Sequence, residues 1–450
     1  MRHATMTSHP ASPSQGSLRA LRKQVLSSLA LPLFAGLMLL ALTLAGCSSA
    51  ATTSGGSPTA TNGSGGGSPT ATTSTSGNGD SGSNSATPVP APPHAFGWYQ
   101  MDAHHVPQIW ASLNGGVPKQ ITHVAPDGAA CDDQVAWSPP VFSPSLEYIV
   151  AALGSFNCGD GVLSGALSII NVSSGAITPV PGSPNTTIRL TVRSAGWISN
   201  QTLWYINTNG FYSYSLGGGP PTLVSPLSNP EDAVVRDTTL FWSNFTSGGV
   251  GPGGSLAIHR YDIGAHASLP GSISLGSVGA CHCSPGDYGV PGWDVSADGA
   301  HVVYQVVTPG SSGSANGVAS SRFYYANADG SGATQIAHVA TAQNTVRMQL
   351  SPNGQLVSIS GALPSPSVVV ASVTSPGNSG DPSLHFFTPD DVAYPVWKWD
   401  SSEFWAARID AGQYSGSGSP TPALYSFHAS GGSGALAVNG GFNPWYTIGS

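Results

Sequence analysis

A turn built from Ser, Pro or Ala, Asx and Gly keeps returning along this 450-residue chain, each time followed by a short apolar strand, and that recurrence limits the folds open to it. The clearest copies are Phe142-Ser143-Pro144-Ser145, Val295-Ser296-Ala297-Asp298-Gly299 and Leu350-Ser351-Pro352-Asn353-Gly354. Weaker copies begin Ile198-Ser199-Asn200, Arg236-Asp237-Thr238 and Trp399-Asp400-Ser401. The strands that follow run Tyr148 to Ala152, Leu203 to Ile206, Leu240 to Trp242, Val302 to Val307, Leu356 to Ile359 and Phe404 to Ala406. With Ser145, Asn200, Thr238, Asp298, Asn353 and Ser401 as anchors, the intervals are 55, 38, 60, 55 and 48 residues, a mean of about 51. A period of that length belongs to units of several strands repeated about an axis rather than to a sandwich. The 358 residues from 93 to 450 hold about seven such units.

The second half of each unit recurs as well. Gln108-Ile109-Trp110-Ala111-Ser112-Leu113-Asn114-Gly115-Gly116 leads to Gln120-Ile121-Thr122, and Phe323-Tyr324-Tyr325-Ala326-Asn327-Ala328-Asp329-Gly330 leads to Thr334-Gln335-Ile336-Ala337. These read as hairpins: an apolar strand, a turn whose glycine can take a positive φ, and a short outer strand. The succession of Ser-Pro-Asx-Gly, two strands, Asx-Gly-x-Gly and Gln-Ile-Thr/Ala resembles the TolB-type, WD40-like β-propeller repeat over essentially all of 93–450. The resemblance implies an all-β fold, a single β-propeller of antiparallel blades. Seven blades fit the spacing best, with starts near 96, 138, 190, 232, 291, 345 and 394; six with long loops, or eight, are the alternatives. Phe442-Asn443-Pro444-Trp445-Tyr446-Thr447 reads as a first strand without a partner, and Phe96-Gly97-Trp98-Tyr99 opens the region with no turn ahead of it. Pairing the two would complete one blade from both segments and remove a free sheet edge.

The composition agrees and excludes other classes. Charged residues are 8% of the chain, and Gly (58) and Pro (37) make up about a fifth of it, so long amphipathic helices have little to form from. Beyond Cys47 there are 9 Lys or Arg against 21 Asp or Glu, a formal charge of −12 that disfavours nucleic acid as a partner.

Residues 1–46 read as an export signal. The basic residues Arg19, Arg22 and Lys23 precede an apolar stretch from Leu29 to Ala45, broken only by Thr43. Its end, Leu44-Ala45-Gly46-Cys47, resembles the lipobox of bacterial lipoproteins, which implies lipidation of Cys47 and attachment of the mature chain to the cell membrane, outside the cytoplasm. Two or three acyl chains suffice for stable anchoring. An uncleaved transmembrane anchor is the alternative, since about 17 apolar residues can just span a bilayer. Apart from Cys47, Val89 and the single charge Asp80, residues 47–92 are Ser, Thr, Gly, Asn, Ala and Pro, a linker without large core-forming side chains.

Export also frames the remaining cysteines, Cys131, Cys158, Cys281 and Cys283, as disulfide formers. Three pairings are open; Cys131 with Cys158 is preferred, which leaves Cys281 with Cys283, while Cys281-His282-Cys283 as a soft-metal site is the competing reading. Asp102, His104 and His105 have metal-ligand chemistry, but paired loop histidines are ordinarily just exposed. Asn327-Ala328-Asp329-Gly330-Ser331 resembles a calcium loop without its bidentate acid and is better explained as a turn. Trp293-Asp294 and Trp399-Asp400 read as packing tryptophans with turn-capping aspartates, and Trp110, Trp204, Trp242 and Trp405 as buried strand residues. No cofactor or metal is expected. The acids are too scattered for a catalytic pair to be chosen by spacing, and nucleophile-elbow, zinc-protease and phosphate-loop motifs do not occur. The expectation is a noncatalytic binding or scaffold module for protein, peptide or glycan. A propeller enzyme, a lyase or glycan-active protein with a site made from loops on one face, is the alternative. Two clustered carboxylates beside a His would mark the second.

Overall fold

The computed structural model describes residues 90–104, 106–125, 134–137, 140–157, 162–181, 186–189, 193–246, 255–277, 292–309, 318–339, 347–360, 368–374, 385–387, 392–408, 423–431 and 434–448, all within the unit Ala86–Ser450. Every regular element among them is a strand, as expected for a sequence poor in charged helix formers and rich in β-branched and aromatic residues.

The strands follow one another in antiparallel runs. The first run is β1 (His94–Met101), β2 (Pro107–Leu113) and β3 (Lys119–Gln120). In the second, β4 (Gln134–Trp137) and β5 (Val141–Phe142) lie against β6 (Tyr148–Asn157), which pairs with β7 (Val162–Asn171), itself edged by β8 (Ile177–Pro179) and β9 (Thr186–Arg189). The third is β10 (Ala195–Trp197), β11 (Thr202–Asn207), β12 (Gly210–Ser215) and β13 (Thr222–Ser225). In the fourth, β14 (Pro230–Arg236), β15 (Thr239–Thr246) and β16 (Ser255–Asp262) are followed by β17 (Ala267–Ser268) and β18 (Ile273–Ser277), both on β16. The fifth is β19 (Trp293–Val295), β20 (His301–Pro309), β21 (Val318–Asn327) and β22 (Thr334–Val339), and the sixth β23 (Arg347–Leu350), β24 (Leu356–Ser360), β25 (Val368–Ser372) and β26 (His385–Phe387). The seventh is β27 (Val392–Trp397), β28 (Glu403–Arg408), β29 (Ala423–His428) and β30 (Ala435–Asn439), after which β31 (Gly441–Ile448) returns to β1.

By hydrogen bonding these strands make six sheets, because the fourth and fifth runs share one parallel pair, Gly276 with Val307. Gly276 has φ +89°, and a Cβ there would strike the Val307 carbonyl, so only glycine permits that approach. The leading strands touch around a closed circuit: β5 meets β10, β10 meets β14, β19 meets β23, β23 meets β27, β27 meets β31 and β31 meets β5. The step from β14 to β19 is made by Arg236, whose Nε donates to the Val295 carbonyl at 3.4 Å. Each hydrophobic core lies between neighbouring runs rather than between two stacked sheets. Val303 and Phe323 of the fifth run pack with Met348 and Val357 of the sixth, and Val368 and Val370 of the sixth pack with Trp397 and Phe404 of the seventh. Sheets packed face to face around a closed circuit are a β-propeller.

The circuit closes as the sequence anticipates. β31 pairs antiparallel with β1, placing Tyr446 opposite Phe96 and Trp445 opposite Gly97. The Trp445 indole lies where a Cβ on Gly97 would be, 2.6 Å away.

The repeated turns share one hydrogen-bonding scheme. Ser143, Ser296 and Ser351 are buried, and each hydroxyl accepts from the backbone N–H five residues on: Tyr148 at 3.1 Å, His301 at 2.9 Å and Leu356 at 3.0 Å. The hydroxyls of Ser296 and Ser351 donate in turn to Asp298 and Asn353, at 2.5 and 2.7 Å. The backbone then turns through a positive φ at Leu146, Gly299 and Gly354. Adjacent turns also bond to each other: Ser145 N–H donates to Asn200 Oδ1 at 2.6 Å, and Asn353 N–H to Ser401 Oγ at 3.1 Å. Two of the anchor spacings, 55 and 48 residues, are therefore distances between bonded partners on neighbouring runs.

Candidate functional site

A chain this poor in charge can bury an ionised group only beside its opposite. It does so where the leading strands of the third to sixth runs converge. Arg193, just ahead of β10, donates from Nε and Nη2 to both oxygens of Asp232 on β14, at 3.2 and 2.7 Å, and its backbone N–H also reaches Asp232 Oδ1 at 2.7 Å. Its Nη1 donates to Asp294 Oδ1 on β19 at 2.6 Å, and Nη2 donates to the Trp293 carbonyl at 3.0 Å. The guanidinium lies over the Trp293 ring, 4.4 Å from its centroid. Asp294 Oδ2 accepts the backbone N–H of Leu350 on β23 at 2.9 Å. A fourth charge stands nearby: Arg236, at the end of β14, has Nη2 3.8 Å from Asp294 Oδ1.

The carboxylates are the deeper partners, with side chains 11% (Asp232) and 6% (Asp294) exposed, against 31% for Arg193 and 32% for Arg236. Burial works against the charge of Arg193, but Asp232 and Asp294 more than offset it and hold the guanidinium above its ordinary pKa. Arg236 goes the other way. Burial lowers its pKa, Asp294 opposes that shift and the like charge of Arg193 adds to it. Two cations and two anions leave the cluster formally neutral, and both carboxylates are held by guanidinium and backbone donors.

This arrangement corrects the reading of Asp294 as a turn cap. It lies inside β19, between the buried Trp293 and Val295, and ties three runs together instead. Asp400 does cap its turn, accepting from the Ser402 N–H at 3.0 Å and hydroxyl at 2.6 Å. Of the four strand tryptophans, Trp204 is buried, whereas Trp110, Trp242 and Trp405 are half-buried, because they stand at the edges of the inter-run cores. Trp405 is sandwiched between Phe96 (4.3 Å between centroids) and Tyr446 (5.5 Å), and Trp242 stacks on His259 at 4.6 Å.

Asp102 organises its own loop, accepting from the N–H groups of His104 and Val106 at 2.8 and 3.0 Å and from Gln108 Nε2 at 2.9 Å. The Asn327 to Ser331 segment is a turn, closed by Ser331 N–H donating to Asp329 Oδ1 at 2.9 Å and Gly330 N–H to the Asn327 carbonyl at 2.8 Å. Among the described residues no group of three or more His, Cys, Asp or Glu is gathered as a metal site. His105, Cys47, Cys131, Cys158, Cys281 and Cys283 lie outside the described residues.

The sequence reading missed Arg193, Asp232 and Arg236. The signal was there in weak form: charges running straight into apolar strand residues, as in Asp232-Ala233-Val234 and Trp293-Asp294-Val295, in a chain with few charges to spend.

Fold and cluster together define the class as β-propeller. No protein-family model matches the chain, and no curated protein matches it. Among solved structures it is similar to an oligogalacturonate lyase in complex with manganese, at 12% identity and a TM-score of 0.46, covering 76% of this chain and 84% of that one. It is also similar to Kuenenia stuttgartiensis hydrazine synthase (12%, TM-score 0.41, 69% and 79%) and to Pyrococcus horikoshii acylaminoacyl peptidase (10%, TM-score 0.43, 68% and 46%). At such identities no residue role passes from those proteins to this one.

Proposed function

We propose that the chain is a membrane-anchored extracytoplasmic lipoprotein, attached through Cys47, whose TolB-like propeller is a noncatalytic binding or scaffold module for protein, peptide or glycan. Each antiparallel run then forms one blade, seven in all, with Cys131–Cys158 and Cys281–Cys283 as disulfides. The observation that carries the noncatalytic reading is the state of Asp232 and Asp294. They are the carboxylates brought together by the leading strands, and Arg193 and backbone N–H groups occupy their oxygens. A general acid or base needs an oxygen within reach of substrate and a pKa near the working pH. Carboxylates already serving as acceptors for a guanidinium suit a rigid frame that presents loops.

Two experiments test this. In cells, Cys47→Ala should leave the protein unprocessed or released and abolish its lipid labelling; labelling that persists overturns the anchor. In vitro, the purified protein should bind without turnover. Cleavage of a glycan or peptide that disappears in Asp232→Asn would make it an enzyme.

A further inference from the structure

The donors of the ion cluster are unevenly satisfied. All four carboxylate oxygens are engaged: both of Asp232 by Arg193, Asp294 Oδ1 by Arg193 and Asp294 Oδ2 by Leu350 N–H. A guanidinium has five N–H groups. In Arg193 four of them are used, on Asp232, Asp294 and the Trp293 carbonyl.

Arg236 is held far more loosely. Its hydrogen bonds are two long ones to backbone carbonyls, Nε to Val295 and Nη1 to Val235, each 3.4 Å, and its nearest carboxylate oxygen, which accepts from Arg193, is 3.8 Å away, beyond hydrogen-bond reach. Three of its N–H groups, both on Nη2 and one on Nη1, have no hydrogen-bond acceptor among the described residues. Its Cβ lies beside the Gly299 turn. The Trp293 indole, stacked under Arg193 and 2% exposed, is a further buried N–H without an acceptor among the described residues. About a third of the Arg236 side chain remains accessible (32%), so a small solute can reach it.

The geometry points to a ligand site at Arg236, at the meeting of β14 and β19, that takes a small carboxylate by two-point hydrogen bonding to the guanidinium. An ionised carboxylate supplies only acceptors and is planar, which matches a surplus of donors on a planar fork. It would give those open N–H groups the acceptors that Asp294, an ion-pair partner 3.8 Å away, does not supply. The inference rests on the binding-module reading and names the ligand chemistry of one site in it.

The test is calorimetric titration of the full chain at constant ionic strength with acetate, with tri-alanine and with tri-alanine amide, sodium sulfate serving as the non-planar anion. Acetate and the tripeptide acid should bind saturably, and the amide should not. Arg236→Gln should weaken binding at least tenfold, Arg236→Lys should weaken it by keeping charge without the fork, and Arg260→Gln, on β16 and bonded to the Pro270 carbonyl, should change nothing. Circular dichroism checks that each variant is folded. A tripeptide acid that binds while acetate does not would assign the site to peptide C-termini, and the reverse would assign it to free acids; either supports a carboxylate site. Absence of saturable binding by both acids, equal binding by Arg236→Gln, or sulfate binding as tightly as acetate would each overturn it. Turnover of a bound carboxylate would instead overturn the noncatalytic reading and leave this site standing.

Discussion

Asp294 joins the third, fifth and sixth runs through one carboxylate, since it holds Arg193 with one oxygen and the backbone of Leu350 with the other. Replacing it with Asn keeps the shape and removes the charge, leaving Arg193 with one counter-ion and Arg236 with none within 4 Å among the described residues. Breaking a buried pair from one side costs about 3–5 kcal/mol, and the partial exposure of both arginines lowers the expectation to ~2–4 kcal/mol. Urea denaturation of Asp294→Asn should show that loss; a change below about 0.5 kcal/mol would mean that solvent already screens the cluster. At this scale the sequence was legible only where a residue acts locally. Asp400 caps a turn within two positions, so its neighbours announce it. Asp294 meets Arg193 across 101 residues, and nothing in either local string says so.

Elements show the opposite balance. A hydroxyl that accepts the N–H five residues ahead and donates to an Asx side chain two residues ahead is a short-range device, so its residues sit together in the sequence. Ser351→Ala removes both bonds and leaves the half-buried N–H of Leu356 without that acceptor. The expected cost is about 1–2 kcal/mol in thermal or urea unfolding. Ser296→Ala, which also frees Asp298, should behave alike. Asp298 is held below the ordinary carboxylate pKa by the Ser296 hydroxyl and the Ala300 N–H. A depressed carboxylate adds stability above its unfolded pKa, and that stability is lost as pH falls through the lower, folded value. Loss of the hydroxyl should therefore flatten the acid limb of the stability curve, as pH-dependent melting can establish. Strand starts were legible for the same local reason. Expected starts near 232, 291, 345 and 394 fall within two residues of β14, β19, β23 and β27.

The whole molecule depends on a contact between residues more than 300 positions apart. β31 fills the place beside β1, and Gly97 leaves room for the Trp445 ring that covers it. Gly97→Val would put branched atoms where the indole lies; overpacking of this kind costs about 1–3 kcal/mol and here acts on the closure itself. Melting temperature and unfolding cooperativity should both fall. Removing 441–450 should do more: with the β1 edge unpaired, the chain should associate through it, visible by light scattering after size-exclusion chromatography. A truncated protein that stays monomeric and melts like the intact one would show that the circuit holds without its clasp.

Turn chemistry and strand patterning, which depend on neighbours a few residues away, wrote the repeat, the all-β class and the pairing of the two end strands into the amino-acid string. The burial of Asp232 and Asp294, the surplus of donors at Arg236 and the extra bridge from Gly276 to Val307 were decided only by the tertiary arrangement. The reason is one of range. A hydrogen bond inside a turn is chosen before the sheets meet, whereas an ion pair between leading strands exists only once the circuit has brought distant segments together and excluded most of the water between them.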